Sequence, residues 1–207
     1  MSEPVLTEDQ RDALQEVANL AMGQAATRLA RLLDSFIELS VPRVRVVAVS
    51  EAAQALREMT GIEDRVSAVR QGFRSDIKGE ALVICRSDSV EDLCALVSDP
   101  YSRSAYEAVS QKELMFDVAN VLTGACVSCI LDQLGRTPVF SAPGLLGDAL
   151  TLDEVFQPGV LQWEVALLVE VNFALEDQSF RAHLVMLMAE ESIRHMSDAL
   201  DALLSSL

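Results

Sequence analysis

The segment Asp12-Ala-Leu-Gln-Glu-Val-Ala-Asn-Leu-Ala-Met-Gly23 determines how the rest of this chain is interpreted. Its motif residues Asp12, Glu16, Asn19 and Gly23 stand at positions i, i+4, i+7 and i+11. At about 100° per residue, these positions fall on one stripe of an α-helix, roughly 60° wide. The opposite side is apolar and carries Leu14, Val17, Ala18, Ala21, Ala25 and Leu32. The segment therefore predicts a helix that buries one face and exposes a carboxylate, an amide and bare backbone on the other.

The same spacing occurs a second time, 101 residues further along the chain. A proline also follows each motif asparagine by 23 residues. This repetition indicates an internal duplication of a unit of about 100 residues, with pseudo-repeats 1–100 and 101–207. We expect one domain over 1–207, because each half-sheet needs a cover. The second motif consists of Glu113, Asp117, Asn120 and Gly124 with Pro143, and the first proline is Pro42.

Hydrophobic periodicity and turn residues predict the remaining elements. The turn-rich stretch Gly144 to Gly159 has no clear strand pattern. In the first half we expect a helix to about Leu33, a strand over Pro42–Ser50, a helix over Glu51–Met59, strands over Arg65–Ser75 and Gly79–Arg86, and a helix over Val90–Val97. In the second half we expect a helix over Ser102–Leu134 with a break near Ser110, strands over Leu161–Leu175 and Phe180–Met188, and a helix over Glu190–Leu204.

Composition narrows the class of protein and of partner. Of the 207 residues, half are apolar and only 5% are aromatic, which indicates a globular chain with an aliphatic core. The net charge of −16 argues against binding to nucleic acid or to an anionic membrane, and favours a protein partner with a basic rim. The first residues lack the basic and apolar regions of a signal peptide, so we expect a cytoplasmic protein.

Two features allow more than one interpretation. Cys126-Val-Ser-Cys129 matches a C-x-x-C pattern, typical of redox or metal sites, but both cysteines fall on the apolar side of the second helix and are also interpreted as small buried hydrophobes. Gly23 inside a helix costs about 1 kcal/mol relative to alanine. It indicates either that a partner approaches the backbone there or that two helices pack closely. Neither His183 nor His195 has a metal-spaced partner, and we expect no metal site.

The pattern [Asp/Ser]-x3-Glu-x2-Asn-x22-Pro resembles the signature of the CheC/CheX/FliY group of chemotaxis phosphatases. Asp12, Glu16, Asn19 and Pro42 fill it completely. The second copy departs from it, with Asp117 at the glutamate position and Glu113 at the Asp/Ser position. The resemblance extends over the whole chain, since a CheC-like protein consists of two such repeats. It implies an α/β fold in which two βαββ-type halves form a sheet flanked by two long motif helices.

The resemblance further implies a protein phosphatase that hydrolyses the aspartyl-phosphate of a CheY-type response regulator. The receiver would carry its own divalent metal, so no cofactor is expected on this chain. A CheD-like protein is a second candidate partner. The alternative is a non-catalytic module that binds receivers or serves as a flagellar-switch adaptor.

The residue roles follow from that chemistry. Catalysis of phosphoryl transfer to water depends on positioning and charge stabilisation. A neutral amide can orient the attacking water, and a carboxylate one helical turn away can pair with a receiver lysine. We assign catalysis to Glu16, Asn19, Asp117 and Asn120, partner docking to Asp12, Gly23, Glu113 and Gly124, and a structural role to Pro42 and Pro143. Asp117 is one methylene shorter than Glu16, so we expect the first site to be the stronger one.

Overall fold

The computed structural model describes residues 6–33, 37–39, 41–87, 107–157, 162–175 and 178–205. Long helices alternate with antiparallel strands, as predicted for a mixed α/β fold. The elements are α1 (Glu8–Leu33), β1 (Ile37–Leu39), β2 (Arg43–Ala48), α2 (Val49–Thr60), β3 (Val66–Arg74), β4 (Lys78–Arg86), α3 (Glu107–Gln133), β5 (Val139–Phe140), β6 (Gly144–Leu150), α4 (Leu152–Val155), β7 (Val165–Leu175), β8 (Gln178–Met188) and α5 (Glu190–Leu204).

Most predicted elements lie within a few residues of their observed bounds. The helix α3 is continuous from Glu107 onward, so the predicted break near Ser110 is wrong. The predicted helix over Val90–Val97 lies outside the described residues. The stretch Gly144 to Gly159, which showed no strand pattern, contains β6 and the short helix α4. β6 pairs with β3 through a shifted register, so its conformation depends on its partner strand and not on its own composition.

The strands of the two halves form one eight-stranded sheet with the order β1-β7-β8-β4-β3-β5. β2 also pairs with β7, and β6 also pairs with β3. The first two strands of each half therefore pair with the third strand of the other half: β1 and β2 pair with β7, and β5 and β6 pair with β3. The two halves meet at the sheet centre, where β4 pairs antiparallel with β8 from Gly79↔Met188 to Cys85↔Ala182. This exchange of strands completes the sheet of each half with residues from the other half.

Both long helices lie on the same face of the sheet. They pack there together with α5, and α2 and α4 cover the opposite face. β4 illustrates how the sheet is covered on both faces. Its residues Ala81, Val83 and Cys85 belong to the core on the side of α1, α3 and α5. Leu82 and Ile84 belong to the core on the side of α2 and α4. Alternate side chains of a strand point to opposite faces, so a continuous apolar run predicts a strand covered on both sides.

α1 and α3 also pack against each other, and their contact fixes the two motifs relative to the sheet. Cys126 Sγ lies 3.9 Å from Met22 Sδ at this contact. Burial raises the pKa of the Cys126 thiol far above its usual range, so the group stays a protonated, apolar filler. Cys129 is also buried, and burial raises its pKa in the same direction. Within the described residues, no group of three or more His, Cys, Asp or Glu side chains could hold a metal ion.

One helical segment of the described chain, Glu113–Gln133, is long and apolar enough to cross a bilayer by length and composition. Its most apolar window is 61% buried inside the protein. That burial is typical of the core helix of a globular fold, where all sides except a narrow polar stripe contact other elements.

The start of α1 is held in place by a capping box that also contacts α5. Thr7 Oγ1 accepts from the Gln10 backbone N–H at 3.3 Å, and Gln10 Oε1 accepts from the Thr7 N–H at 2.9 Å. The Gln10 amide also donates to Ser197 Oγ at 2.8 Å and to Asp201 Oδ1 at 2.7 Å. The first turn of α1 is thus fixed by side chains from the end of the chain, which sets the rotation of the motif stripe.

A substitution at Gly79 tests the close approach of β4 and β8 at the centre of the sheet. A Cβ at this position would lie 2.3 Å from the Leu187 carbonyl oxygen and 2.7 Å from Phe73 Cζ. Because a backbone atom cannot move aside, we expect Gly79→Ala to lower the free energy of unfolding by about 1–3 kcal/mol. Urea denaturation measures this change.

The matched control is Gly144→Ala, since a Cβ there would meet nothing within 4 Å. This variant should leave stability unchanged or raise it slightly. Equal losses in the two variants would contradict the close approach of β4 and β8 at Gly79.

Candidate functional site

The first motif lies on the exposed face of α1. Asp12, Glu16, Asn19 and Gly23 are all exposed in one stripe. The apolar positions of the same helix are buried in the core, Leu14, Val17, Ala18, Ala21 and Ala25 among them. The orientation expected from the helical spacing is therefore the orientation observed.

The second motif is placed in the same way on α3. Glu113, Asp117 and Asn120 are exposed, and Gly124 is half-buried. The opposite face of α3 is buried and includes Met115, Val118, Ala119, Leu122 and Cys126. The structure thus brings the two stripes to the same side of the sheet, on helices that touch each other.

The motif carboxylates form no ion pairs, unlike many other charged side chains of the described structure. Within the described ranges, neither Asp12, Glu16, Glu113 nor Asp117 takes part in an ion pair. Most of the arginines outside the helices, by contrast, are paired within the chain. Their pairs are Arg43–Glu170, Arg45–Glu58, Arg65–Glu154, Arg70–Glu80, Arg86–Asp64 and Arg136–Asp76. The stripes therefore present unpaired negative charge to an incoming molecule.

The two motif glycines are not required for packing against the part of the chain that the structure describes. A Cβ built on Gly23 or on Gly124 would meet nothing within 4 Å. Close helix–helix packing, the alternative interpretation of Gly23, is therefore not what the described residues show. The open space above each glycine leaves the helix backbone accessible from outside.

A shallow groove of about 440 Å³ continues from Gly23 along the exposed side of α1. Leu20 lines it and is 56% exposed, so it offers an apolar contact next to the motif stripe. Arg28 and Arg31 lie further along the same side, so the groove adds an apolar and a basic contact to the acidic stripe. Its lining consists of Leu20, Gly23, Gln24, Thr27, Arg28, Arg31 and Gln133.

A glutamine ties the first motif helix to the segment at the motif proline. Gln15 donates from Nε2 to the Pro42 carbonyl oxygen. Its Oε1 accepts from the Val44 backbone N–H at 3.0 Å. These two bonds pair backbone groups of Pro42 and Val44 with a side chain of α1, so the start of β2 is held against the first motif helix. Pro42 itself is buried.

The second motif uses a different glutamine for the same purpose. Gln71 lies in β3 and donates from Nε2 to the Ser141 carbonyl oxygen at 2.8 Å and to Asn120 Oδ1 at 2.9 Å. Ser141, two residues before Pro143, is also bonded to β3, because its Oγ accepts from the Gly72 N–H at 3.0 Å. The segment before the second proline is thus connected to the motif asparagine through Gln71.

The two motif amides consequently differ. Within the described residues, the Asn19 side chain makes no hydrogen bond to the rest of the chain, whereas Asn120 accepts one from Gln71. Sequence reasoning missed both Gln15 and Gln71. Gln71 carried a weak signal, since it alternates with the apolar residues Val69 and Phe73 in β3, while Gln15 looked like any other half-exposed helix residue.

Several known proteins are similar to this chain in sequence or in fold. Residues 10–46 match the model of the CheC-like family. Among solved structures, FliY from Thermotoga maritima aligns with a TM-score of 0.71 at 19% identity, covering 96% of this chain and 99% of that one. CheX from Desulfovibrio desulfuricans aligns with a TM-score of 0.52 at 15% identity, covering 83% and 99% of the two chains. FliM in a FliG–FliM complex from Helicobacter pylori gives 0.60 at 10% identity, covering 91% and 100%.

These matches confirm the predicted resemblance at two levels. The family match covers the first motif helix, its proline and the start of β2. The structural matches cover nearly the whole chain, and at these identities they establish the fold. This chain therefore carries a CheC-like motif segment on the fold that FliY, CheX and FliM share.

Proposed function

We propose that this chain is a protein phosphatase that hydrolyses the aspartyl-phosphate of a CheY-type response regulator. One observation carries the proposal: an exposed helical stripe with an unpaired carboxylate and an amide one turn away, present twice on one face of the fold. The family match over residues 10–46 supports it, because those residues contain the complete first stripe and Pro42.

The chemistry needs little from this chain beyond position. Phosphoryl transfer passes through a state in which charge is spread over the phosphoryl oxygens. The receiver's own divalent metal and lysine would neutralise that charge. An exposed amide such as Asn19 can donate and accept hydrogen bonds, so it can hold a water in line with phosphorus without repelling the anion.

The carboxylates would set the docking register. Glu16 lies one helical turn before Asn19, and neither it nor Asp12 is in an ion pair within the described residues. A lysine on the receiver can pair with Glu16, and the net charge of −16 draws a basic surface toward the protein. In this role the protein acts in the cytoplasm, where phosphorylated receivers occur. Regulation by a CheD-like protein stays a prediction.

A second function is favoured by one finding. The structural alignment with FliM, seen in a FliG–FliM complex, covers 91% of this chain. A flagellar-switch adaptor would use the same surfaces to bind a receiver or a switch protein without hydrolysis. The two functions differ in whether the receiver's phosphate is lost faster.

Phosphate release from an acyl-phosphorylated CheY-type receiver distinguishes them. We expect the wild-type chain to accelerate release in proportion to its concentration. The double variant Asn19→Ala/Asn120→Ala should lose about 10²-fold or more of this acceleration, because the attacking water is no longer oriented. Single variants should show that Asn19→Ala costs more than Asn120→Ala, since Glu16 reaches further than Asp117.

The control is Gln54→Ala, which removes an exposed amide of α2, on the face of the sheet opposite the motif helices. It should keep the full rate. Receiver binding without acceleration would refute the phosphatase and favour the adaptor. Loss of turnover in Asn120→Ala alone, with Asn19→Ala intact, would reverse the ranking of the sites.

Gly23→Ala separates docking from folding. Because a Cβ at Gly23 meets nothing within 4 Å, the variant should raise the free energy of unfolding by about 0.5–1 kcal/mol. At the same time it should raise the KM for the phosphorylated receiver, since the methyl group occupies the space that the partner uses. Denaturation and receiver titration measure the two effects. A more stable variant with unchanged KM would show that no partner approaches the helix at Gly23.

A further inference from the structure

Gln71 is a polar residue at a position where the fold calls for an apolar one. It lies in β3 between residues of the core, and it is 3% exposed. Its Oε1 atom is buried and makes no hydrogen bond within the described residues. An unsatisfied buried carbonyl costs free energy. A leucine or methionine of similar size would avoid that cost but would lose both bonds of Nε2, so the partners of Nε2 account for the glutamine.

The contacts of Gln71 determine the orientation of two amides. The Ser141 carbonyl can only accept, so the Gln71 atom 2.8 Å from it must be the Nε2 donor. The second hydrogen of that nitrogen points to Asn120 at 2.9 Å, and the atom that receives it must be Oδ1. The backbone carbonyl of Ser141 therefore fixes the orientation of the Asn120 amide through Gln71. Its Nδ2 group is turned away from Gln71.

The first motif has no counterpart of this chain of bonds within the described residues. There the segment at the proline is held by Gln15, which bonds to Pro42 and Val44 and to neither motif residue Glu16 nor Asn19. The Asn19 amide is left to rotate. Both copies tie the segment near the proline to the motif helix. In the first copy the tie is made by Gln15 and does not involve the motif asparagine. In the second copy it runs through Gln71 to the motif asparagine Asn120 itself.

We propose that Gln71 is a positioning residue that holds the Asn120 amide with its Nδ2 hydrogens toward the partner and makes the two sites unequal. The second site presents a pre-set hydrogen-bond donor, suited to a phosphoryl oxygen or to the oxygen of a water. The first site presents an amide that adopts its orientation when the partner binds. The part of this inference that concerns catalysis rests on the proposed phosphatase function, and the orientation of Asn120 does not.

The orientation is tested directly by NMR of the side-chain amide groups in ¹⁵N-labelled protein. Spectra of Asn19→Ala and Asn120→Ala assign the two resonance pairs. We expect the Asn120 NH₂ group to be more rigid than that of Asn19, because its amide plane is held through Oδ1. Gln71→Leu should make the two groups alike, while Gln15→Leu, which removes the other glutamine tether, should leave the Asn120 signal unchanged. An Asn120 amide as mobile as Asn19 in the wild type, or unaffected by Gln71→Leu, would overturn the proposal.

The catalytic consequence is tested in backgrounds with one working site. In the Asn19→Ala background, where only Asn120 remains, Gln71→Leu should lower kcat about 2- to 10-fold with little change in KM, because the amide must now be ordered in each turnover. In the Asn120→Ala background the same change should have no effect. Equal losses in both backgrounds would show a general structural role and overturn the assignment. If the wild type releases no phosphate at all, the proposed function fails, and the NMR result still decides whether Gln71 positions Asn120.

Discussion

The antiparallel pairing of β4 with β8 joins the two halves of this protein, and the placement of both motif helices depends on it. With that pair at the centre, β3 and β7 lie on either side, and each receives the first strands of the opposite half. Neither half completes its sheet without the other. The resulting continuous face buries α1 and α3 side by side, and this burial leaves the motif-bearing side of each helix exposed to solvent.

The stripes were the part of the structure most open to prediction. Helical spacing placed Asp12, Glu16 and Asn19 on one face, and the buried leucine and alanine positions lie opposite, as the 3.6-residue period requires. The strands β3, β4 and β8 and the helix α5 were also identifiable, because their apolar patterns are long and their turns are marked. These elements carry their own signals in sequence.

The exchange of first strands was not predictable in this way. β6 contains two glycines and an alanine with a φ of 52°, and it forms a strand because β3 offers it a partner. The short strands β1 and β5 likewise exist through pairing with the opposite half. Long-range hydrogen bonds such as Gln71 to Asn120 join residues far apart in sequence, so local pattern gives no sign of them. The difference between the two motif amides therefore became visible only in three dimensions.

The inequality has two physical sources that act on different groups. Asp117 shortens the reach of the second carboxylate, as the sequence indicates, and Gln71 restrains the second amide, as the structure adds. A duplicated fold can keep two similar surfaces that differ in detail. The first combines the unbonded amide of Asn19 with the longer acid Glu16. The second combines the restrained amide of Asn120 with the shorter acid Asp117. Both remain on one face, so a single kind of partner can meet either.

The central claim is that the partner binds to the motif face. Backbone NMR shifts of the labelled protein, titrated with a CheY-type receiver that carries an acyl-phosphate mimic, test it most directly. The account predicts that the changes concentrate on α1 around Asp12 to Gly23 and on α3 around Glu113 to Gly124. Changes confined to α2 and α4, on the opposite side of the sheet, would contradict it.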